Sequence, residues 1–269
     1  MSPLHWLDSH CHVTADEFAE DRGEVMDRAS ASGVQTMIAV GAGYGVDHNA
    51  RAVDLAGRDA RVFATVGVHP HDADQLDDPG RAKLRAWLEA PRVVAVGECG
   101  LDYYYENSPR EVQREVFAEQ VELARERDLP VSIHARDREP AGYEELLDIW
   151  QASGRGQVEG VLHCYTHDLD FARRAIAANL WISFSGILTF KRDRGLRGVA
   201  AGLPLERLLV ETDAPLLAPE GHRGRRNEPA RVAQVGGVLA ESQGRPVEEI
   251  ARRTAENART LFRLPDEDA

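Results

Sequence analysis

The chain has 269 residues, with 32 Lys and Arg against 45 Asp and Glu, giving a formal charge of −13. That balance excludes a basic coat for nucleic acid and a polybasic membrane-surface protein, since both need clustered positive charge. At 43% hydrophobic and 29% charged residues the chain is globular, long enough for one α/β barrel or two smaller domains.

The opening, Met1 to Asp8, lacks the basic start, apolar run and small-residue cleavage site of a secretion signal. No apolar run approaches the ~18–20 residues that span a bilayer. Three cysteines (Cys11, Cys99, Cys164) are too few and odd in number for a disulfide framework. A cytoplasmic protein with no membrane contact is expected.

Eight short runs, mostly apolar, read as strands: Trp6–Asp8, Thr36–Val40, Val62–Val68, Val93–Gly97, Val131–His134, Gly160–His163, Trp181–Ser185 and Leu208–Thr212. Near-continuous apolar runs suit strands buried on both faces of a parallel sheet. The stretches between them read as helices. Val112, Val116, Phe117, Val121 and Ala124 fall at helical spacing, with Ser108-Pro109 as the expected cap and first-turn proline. Gly236-Gly237 interrupts the stretch after Pro229. Ile250, Ala251, Thr254, Ala255, Ala258, Leu261 and Phe262 keep the helical period near the end, and Asp266–Ala269 reads as a loose tail.

Alternating strands and helices give either a closed barrel or an open doubly wound sheet. An open sheet calls for a glycine-rich phosphate turn after its first strand, where this chain has Asp8-Ser9-His10-Cys11-His12. The predicted architecture is a single (β/α)8 TIM-type barrel domain over residues 1–269 with an additional C-terminal helix.

The histidines and acids cluster at the C-terminal ends of the predicted strands. His10 and His12 follow the first, His69 the third, Glu98 the fourth, His134 and His163 end the fifth and sixth, and Glu211 and Asp213 the eighth. In a barrel these ends meet at one mouth, where active sites lie. An isolated His-x-His is more often a pair of polar turn residues, but in an extended segment its two rings point the same way and can meet one metal ion. Four imidazoles and two carboxylates exceed the needs of one ion. Two divalent ions use them all, with His10, His12, Glu98 and Asp213 on one and Glu98, His134 and His163 on the other. Such a pair activates a bridging water and polarises a phosphoryl or carbonyl oxygen, with Asp213 as the base that takes the water's proton. Imidazoles favour Zn or Mn, whereas Mg prefers oxygen ligands. Each cysteine adjoins a ligand and, by strand alternation, should point away from the ligands' side and pack there.

Seven motifs stand in order: Asp-Ser-His-Cys-His (8–12), Gly-Val-His-Pro (67–70), Gly-Glu-Cys-Gly-Leu-Asp-Tyr-Tyr (97–104), His-Ala-Arg (134–136), His-Cys-Tyr (163–165), Glu-Thr-Asp-Ala-Pro (211–215) and Arg-Gly-Arg-Arg-Asn-Glu-Pro (223–229). From about residue 5 to about residue 263 the chain thereby resembles the TatD family of metal-dependent deoxyribonucleases, within the amidohydrolase-like barrels. The resemblance implies a two-metal barrel that hydrolyses DNA phosphodiesters as a 3′→5′ exonuclease on single-stranded ends. It supports the ligand assignment and adds His69 and Glu211 near the reacting group, with Asn227 in a conspicuous motif. His222 and Arg225 depart from the family's usual aromatic and Lys.

Several residues carry two readings. His69 touches the scissile phosphate or supports a neighbour, and Arg136 grips phosphate or a carboxylate. Tyr103, Tyr104 and Tyr105 offer stacking faces to a single strand, although packing on the barrel rim is the usual fate of at least two of three. Arg223, Arg225 and Arg226 steer phosphate or form a solvated loop. Asp8 orients an imidazole or sits in a simple turn, while His71 and His167 read as plain loop residues. The expected partner is DNA bound to a monomer. Rival readings are a deacylase of D-aminoacyl-tRNA or another ester or amide hydrolase, and a non-catalytic metal-binding scaffold.

Overall fold

The computed structural model describes residues 4–192 and 195–265, so residues 1–3 and the expected tail Asp266–Ala269 lie outside the described residues. Eight strands follow chain order through one sheet: β1 (Trp6–Cys11), β2 (Val34–Val40), β3 (Val62–Val66), β4 (Val93–Asp102), β5 (Val131–Arg136), β6 (Gly160–Leu162), β7 (Leu180–Phe184) and β8 (Leu208–Val210). Just past its end β8 leads back to β1, where Asp213 N–H donates to His10 O at 3.0 Å and His12 N–H to Ala214 O at 2.7 Å. The helices alternate with the strands: α1 (Arg22–Ala31), α2 (Asn49–Arg58), α3 (Asp78–Trp87), α4 (Arg110–Arg127), α5 (Pro140–Gly154), α6 (Leu169–Ala177), α7 (Leu196–Ala201), α8 (Val232–Gln243) and the additional α9 (Val247–Phe262). This is the predicted (β/α)8 order. None of the described helices is long and apolar enough to cross a membrane.

The chain packs as two units. One comprises residues 1–38, 163–177 and 181–269. In it α8 runs unbroken through Gly236-Gly237, contrary to the predicted interruption. A Cβ on Gly236 would lie 2.2 Å from the Trp6 ring, so the missing side chain is what lets the helix approach β1. On α9 the buried face is Ile250, Ala251, Thr254, Asn257, Ala258, Leu261 and Phe262. Asn257 takes a place that spacing alone gave to Ala255, because its amide donates to Leu205 O and Leu208 O at 2.7 and 2.8 Å.

The other unit comprises residues 39–162 and 178–180. Here β3 is fully buried but stops two residues short of the expected Val68. Side-chain amides replace the ladder there. Asn49 accepts from Gly67 N–H at 3.0 Å and donates to Gly67 O at 2.9 Å, and Gln120 treats Val68 likewise at 2.7 and 3.1 Å. β4 instead runs five residues beyond the expected Gly97, to Asp102. The register slips at Glu98, with Gly97 opposite Ser132 and Cys99 opposite Ile133, after which pairing resumes. Such a bulge re-aims one side chain without ending the strand. Gly97, the expected end of the strand, and Gly100 are required by crowding: a Cβ on them would lie 2.3 Å from Ser132 O and 1.9 Å from His134 O, respectively. Ser108 does not cap α4; its hydroxyl lies 3.0 Å from both His71 O and Asp74 Oδ1, and Pro109 is the cap residue.

Candidate metal centre

In the first unit β1 delivers His10 and His12, ring centroids 5.2 Å apart, as the alternation predicted. The segment after β8 delivers Asp213, held in the left-handed region at φ +56°, which Asp tolerates better than most residues. Asp213 Oδ1 lies 3.7 Å from His10 Nε2 and 3.5 Å from His12 Nε2. Burial alone would raise this carboxyl, but His12 and His10 outweigh it and hold it below the usual range. The His163 ring stacks on His10 at 3.8 Å, and its Nδ1 is 3.3 Å from Glu211 Oε1, which also accepts Cys164 N–H at 2.7 Å. Glu211 is thus placed to orient His163. Asp8 accepts from His10 N–H at 3.3 Å, Thr212 N–H at 2.9 Å and Thr212 Oγ1 at 2.5 Å, tying β1 to the segment beyond β8. Burial pushes its carboxyl up to about 8.

In the second unit the bulge delivers Glu98, whose Oε1 is 2.9 Å from His134 Nδ1 and 3.4 Å from His69 Nε2. His69 Nδ1 accepts the His71 backbone N–H at 3.1 Å, so in the neutral ring the proton sits on Nε2. Burial moves this imidazole down to about 4, which makes it a neutral N–H donor. Asp102, absent from the predicted site, is fully buried at the end of β4. Its Oδ2 meets His134 Nε2 at 3.0 Å and His71 Nε2 at 2.9 Å. Burial would raise its carboxyl, but those two imidazoles hold it well below the usual carboxylate range. The register sets Asp102 opposite Arg136, two steps beyond the Gly100–His134 pair, past the strand end expected at Gly97. His71 therefore belongs to this cluster and not to a plain loop.

Ligand atoms of His10, His163 and Glu211 lie within 4.8 Å of one another, as do those of His69, Glu98 and His134. Asp213 Oδ1 and Glu211 Oε2 are buried with no hydrogen-bond partner among the described residues. A buried anionic oxygen without a donor is costly, and a cation relieves that cost. This donor set of imidazole nitrogens and carboxylate oxygens fits a divalent metal. Cys11 and Cys99 are buried toward Ile38 O and Ser132 O, and burial pushes both thiols upward, away from the thiolate that metal binding needs. The Cys164 thiol lies 3.2 Å from Ser185 Oγ.

The expected substrate contacts divide. Arg136 is exposed, with its guanidinium over Tyr104 and Tyr105. Arg225 is exposed, but Arg223 lies over the Phe190 ring. Asn227, expected at the substrate, is fully buried and donates to Thr212 O at 2.9 Å while accepting Glu228 N–H at 2.9 Å, so it ties down the loop. Arg226, expected to steer phosphate, is paired with Asp21 at 2.6 and 2.8 Å.

That pairing gives a pH prediction. Hydrogen bonds from Arg226, with a smaller contribution from Arg28, lower the Asp21 carboxyl to about 2. Its unfolded value is about 3.9, so the stabilisation is complete above about pH 4 and is lost as pH falls toward 2. Urea midpoints should therefore fall less steeply from pH 4 to 2 in Asp21→Asn than in wild type. Parallel profiles would refute the assignment.

Comparison with known proteins is consistent with this chemistry. The family model for TatD related DNase matches residues 7–263. The metal-dependent hydrolase YabD of Bacillus subtilis (strain 168) is 37% identical over 96% of this chain and 99% of its own length. The 3′-5′ ssDNA/RNA exonuclease TatD of Enterobacter lignolyticus is 35% identical over 95% of this chain and 98% of its own. Among solved structures, the TatD homologue YjjV of Escherichia coli K12 superposes with a TM-score of 0.90 at 32% identity, covering 97% of this chain and 99% of that one.

Proposed function

The chain belongs to the TatD-related DNases, a family of metal-dependent hydrolases, and from that membership we propose that it shortens single-stranded DNA from the 3′ end. The observation that carries the reading is the pair of buried imidazole–carboxylate clusters at strand C-terminal ends, with Asp213 Oδ1 and Glu211 Oε2 left without a hydrogen bond among the described residues. The proposed ligands are His10, His12, His163 and Asp213 in the first unit and Glu98 and His134 in the second. Divalent ions bound there supply activation of water and polarisation of a phosphoryl oxygen.

The chain's own groups do the rest. Asp213 Oδ1 is the proposed acceptor of the attacking water's proton, its carboxyl kept ionised by His12 and His10 against the effect of burial. Glu211 sets the His163 ring through Nδ1, and Asp102 sets the His134 ring through Nε2. Neutral His69 offers Nε2–H toward charge that develops on a non-bridging phosphate oxygen. Exposed Arg136 and Arg225 are the proposed contacts for the incoming strand.

The test gives metal-stripped protein, reloaded in turn with Mg, Mn or Zn, a 5′-labelled single strand and D-aminoacyl-tRNA side by side. The expected result is a ladder shortening by single nucleotides from the 3′ end, only after reloading. Deacylation of the tRNA without nucleotide release overturns the nuclease reading.

A further inference from the structure

Among the described residues four large hydrophobic side chains are exposed, and two of them are neighbours: Tyr104 at 38% and Tyr105 at 54%. Tyr103 packs inward at 6% exposure, so one ring of the three is buried where the sequence suggested at least two. The exposed rings meet edge to face at 4.7 Å. The Arg136 guanidinium lies 4.7 and 4.8 Å from their centroids, and that of Arg138 lies 4.5 Å from Tyr104.

The pair is held firmly. Asp102 Oδ1 accepts the backbone N–H of Tyr104 at 3.0 Å and of Tyr105 at 2.8 Å. The other oxygen of the same carboxylate holds His134 and His71, and the His71 ring stands 5.7 Å from that of Tyr105. One buried carboxylate therefore ties the backbone that carries the rings to a candidate metal ligand. Exposed aromatic rings on an anchored backbone, beside the two guanidiniums of Arg136 and Arg138, suit a ligand that is flat, aromatic and anionic.

We propose that Tyr104 and Tyr105, with Arg136 and Arg138, form a stacking subsite for unpaired bases of the strand being cut, a proposal that rests on the nuclease reading. Duplex bases already stack on one another, so the subsite selects single strands without reading sequence. The guanidiniums face the phosphates on either side of the stacked bases. In a chain of net charge −13 such a grip is confined to a few nucleotides.

The test uses the full metal-loaded chain and phosphorothioate-linked ten-mers that resist cleavage. Anisotropy gives Kd for a thymidylate strand and for an abasic strand of equal length. Stacking is worth about tenfold in Kd for each engaged ring. Tyr104→Ala with Tyr105→Ala should weaken binding of the thymidylate strand by about that factor per ring and leave the abasic strand unchanged. Tyr104→Phe with Tyr105→Phe should restore wild-type Kd, since the ring and not the hydroxyl does the stacking. Unchanged thymidylate binding in the Ala pair, or equal loss for both strands, overturns the subsite while wild type still releases nucleotides from an ordinary strand. A wild-type protein that neither binds nor shortens single strands refutes the nuclease reading itself.

Discussion

Asp213→Asn is expected to lower kcat on single-stranded DNA by about 10²–10⁴-fold, the range for loss of a positioned general base. The substitution is nearly isosteric, and Asn accepts the left-handed backbone at φ +56° as readily as Asp does, so the β8–β1 junction should survive. What changes is the atom that faces His10 and His12. A carboxylate oxygen there can take a proton, whereas an amide cannot. The variant also removes one anionic ligand, so metal content must be measured alongside kcat. Melting of the metal-free protein should hold or fall slightly, because a neutral amide replaces the carboxylate that His12 and His10 stabilise against burial. A variant that binds metal normally and keeps kcat within a few-fold of wild type would sink Asp213 as the base and leave it a ligand only.

The candidate site was legible in the sequence to the extent that it depends on where strands end. Buried parallel strands announce themselves as apolar runs, and polar residues that follow them stand out. His10, His12, Glu98, His134, His163 and Asp213 were singled out in that way as candidate ligands. What the sequence hid depends on side-chain direction. Glu211 and Asp213 lie two residues apart, yet one orients His163 and the other faces His10 and His12. Asn227 and Arg226 read as substrate contacts because of their motif and charge, but one is tied to Thr212 and the other paired with Asp21. Asp102 was missed because the expected strand stopped at Gly97, and without it His71 read as a plain loop residue. A bulge is invisible to period-two reasoning, which stops where the alternation breaks although the ladder continues.

The glycines of β4 carry the second large effect. Gly100→Ala is expected to cost about 2–4 kcal/mol, from overpacking together with a backbone that an L side chain rarely adopts. Gly100 pairs with His134 at φ +143°, and the new Cβ would meet His134 O at 1.9 Å, C at 2.9 Å and N at 3.1 Å. All three are backbone atoms, so no side chain can swing away. Relief requires β4 and β5 to part at the pair that carries His134, which moves its ring from Glu98 at 2.9 Å and Asp102 at 3.0 Å. Melting should drop by roughly 5–15 °C. Metal affinity of the folded fraction should fall about 10–100-fold, as when an orienting partner is lost. Gly237→Ala is the control: it lies within α8, a Cβ there meets nothing within 4 Å, and it should be neutral or slightly stabilising. If Gly100→Ala melts and binds metal like that control, close approach of β4 to β5 is not what sets His134.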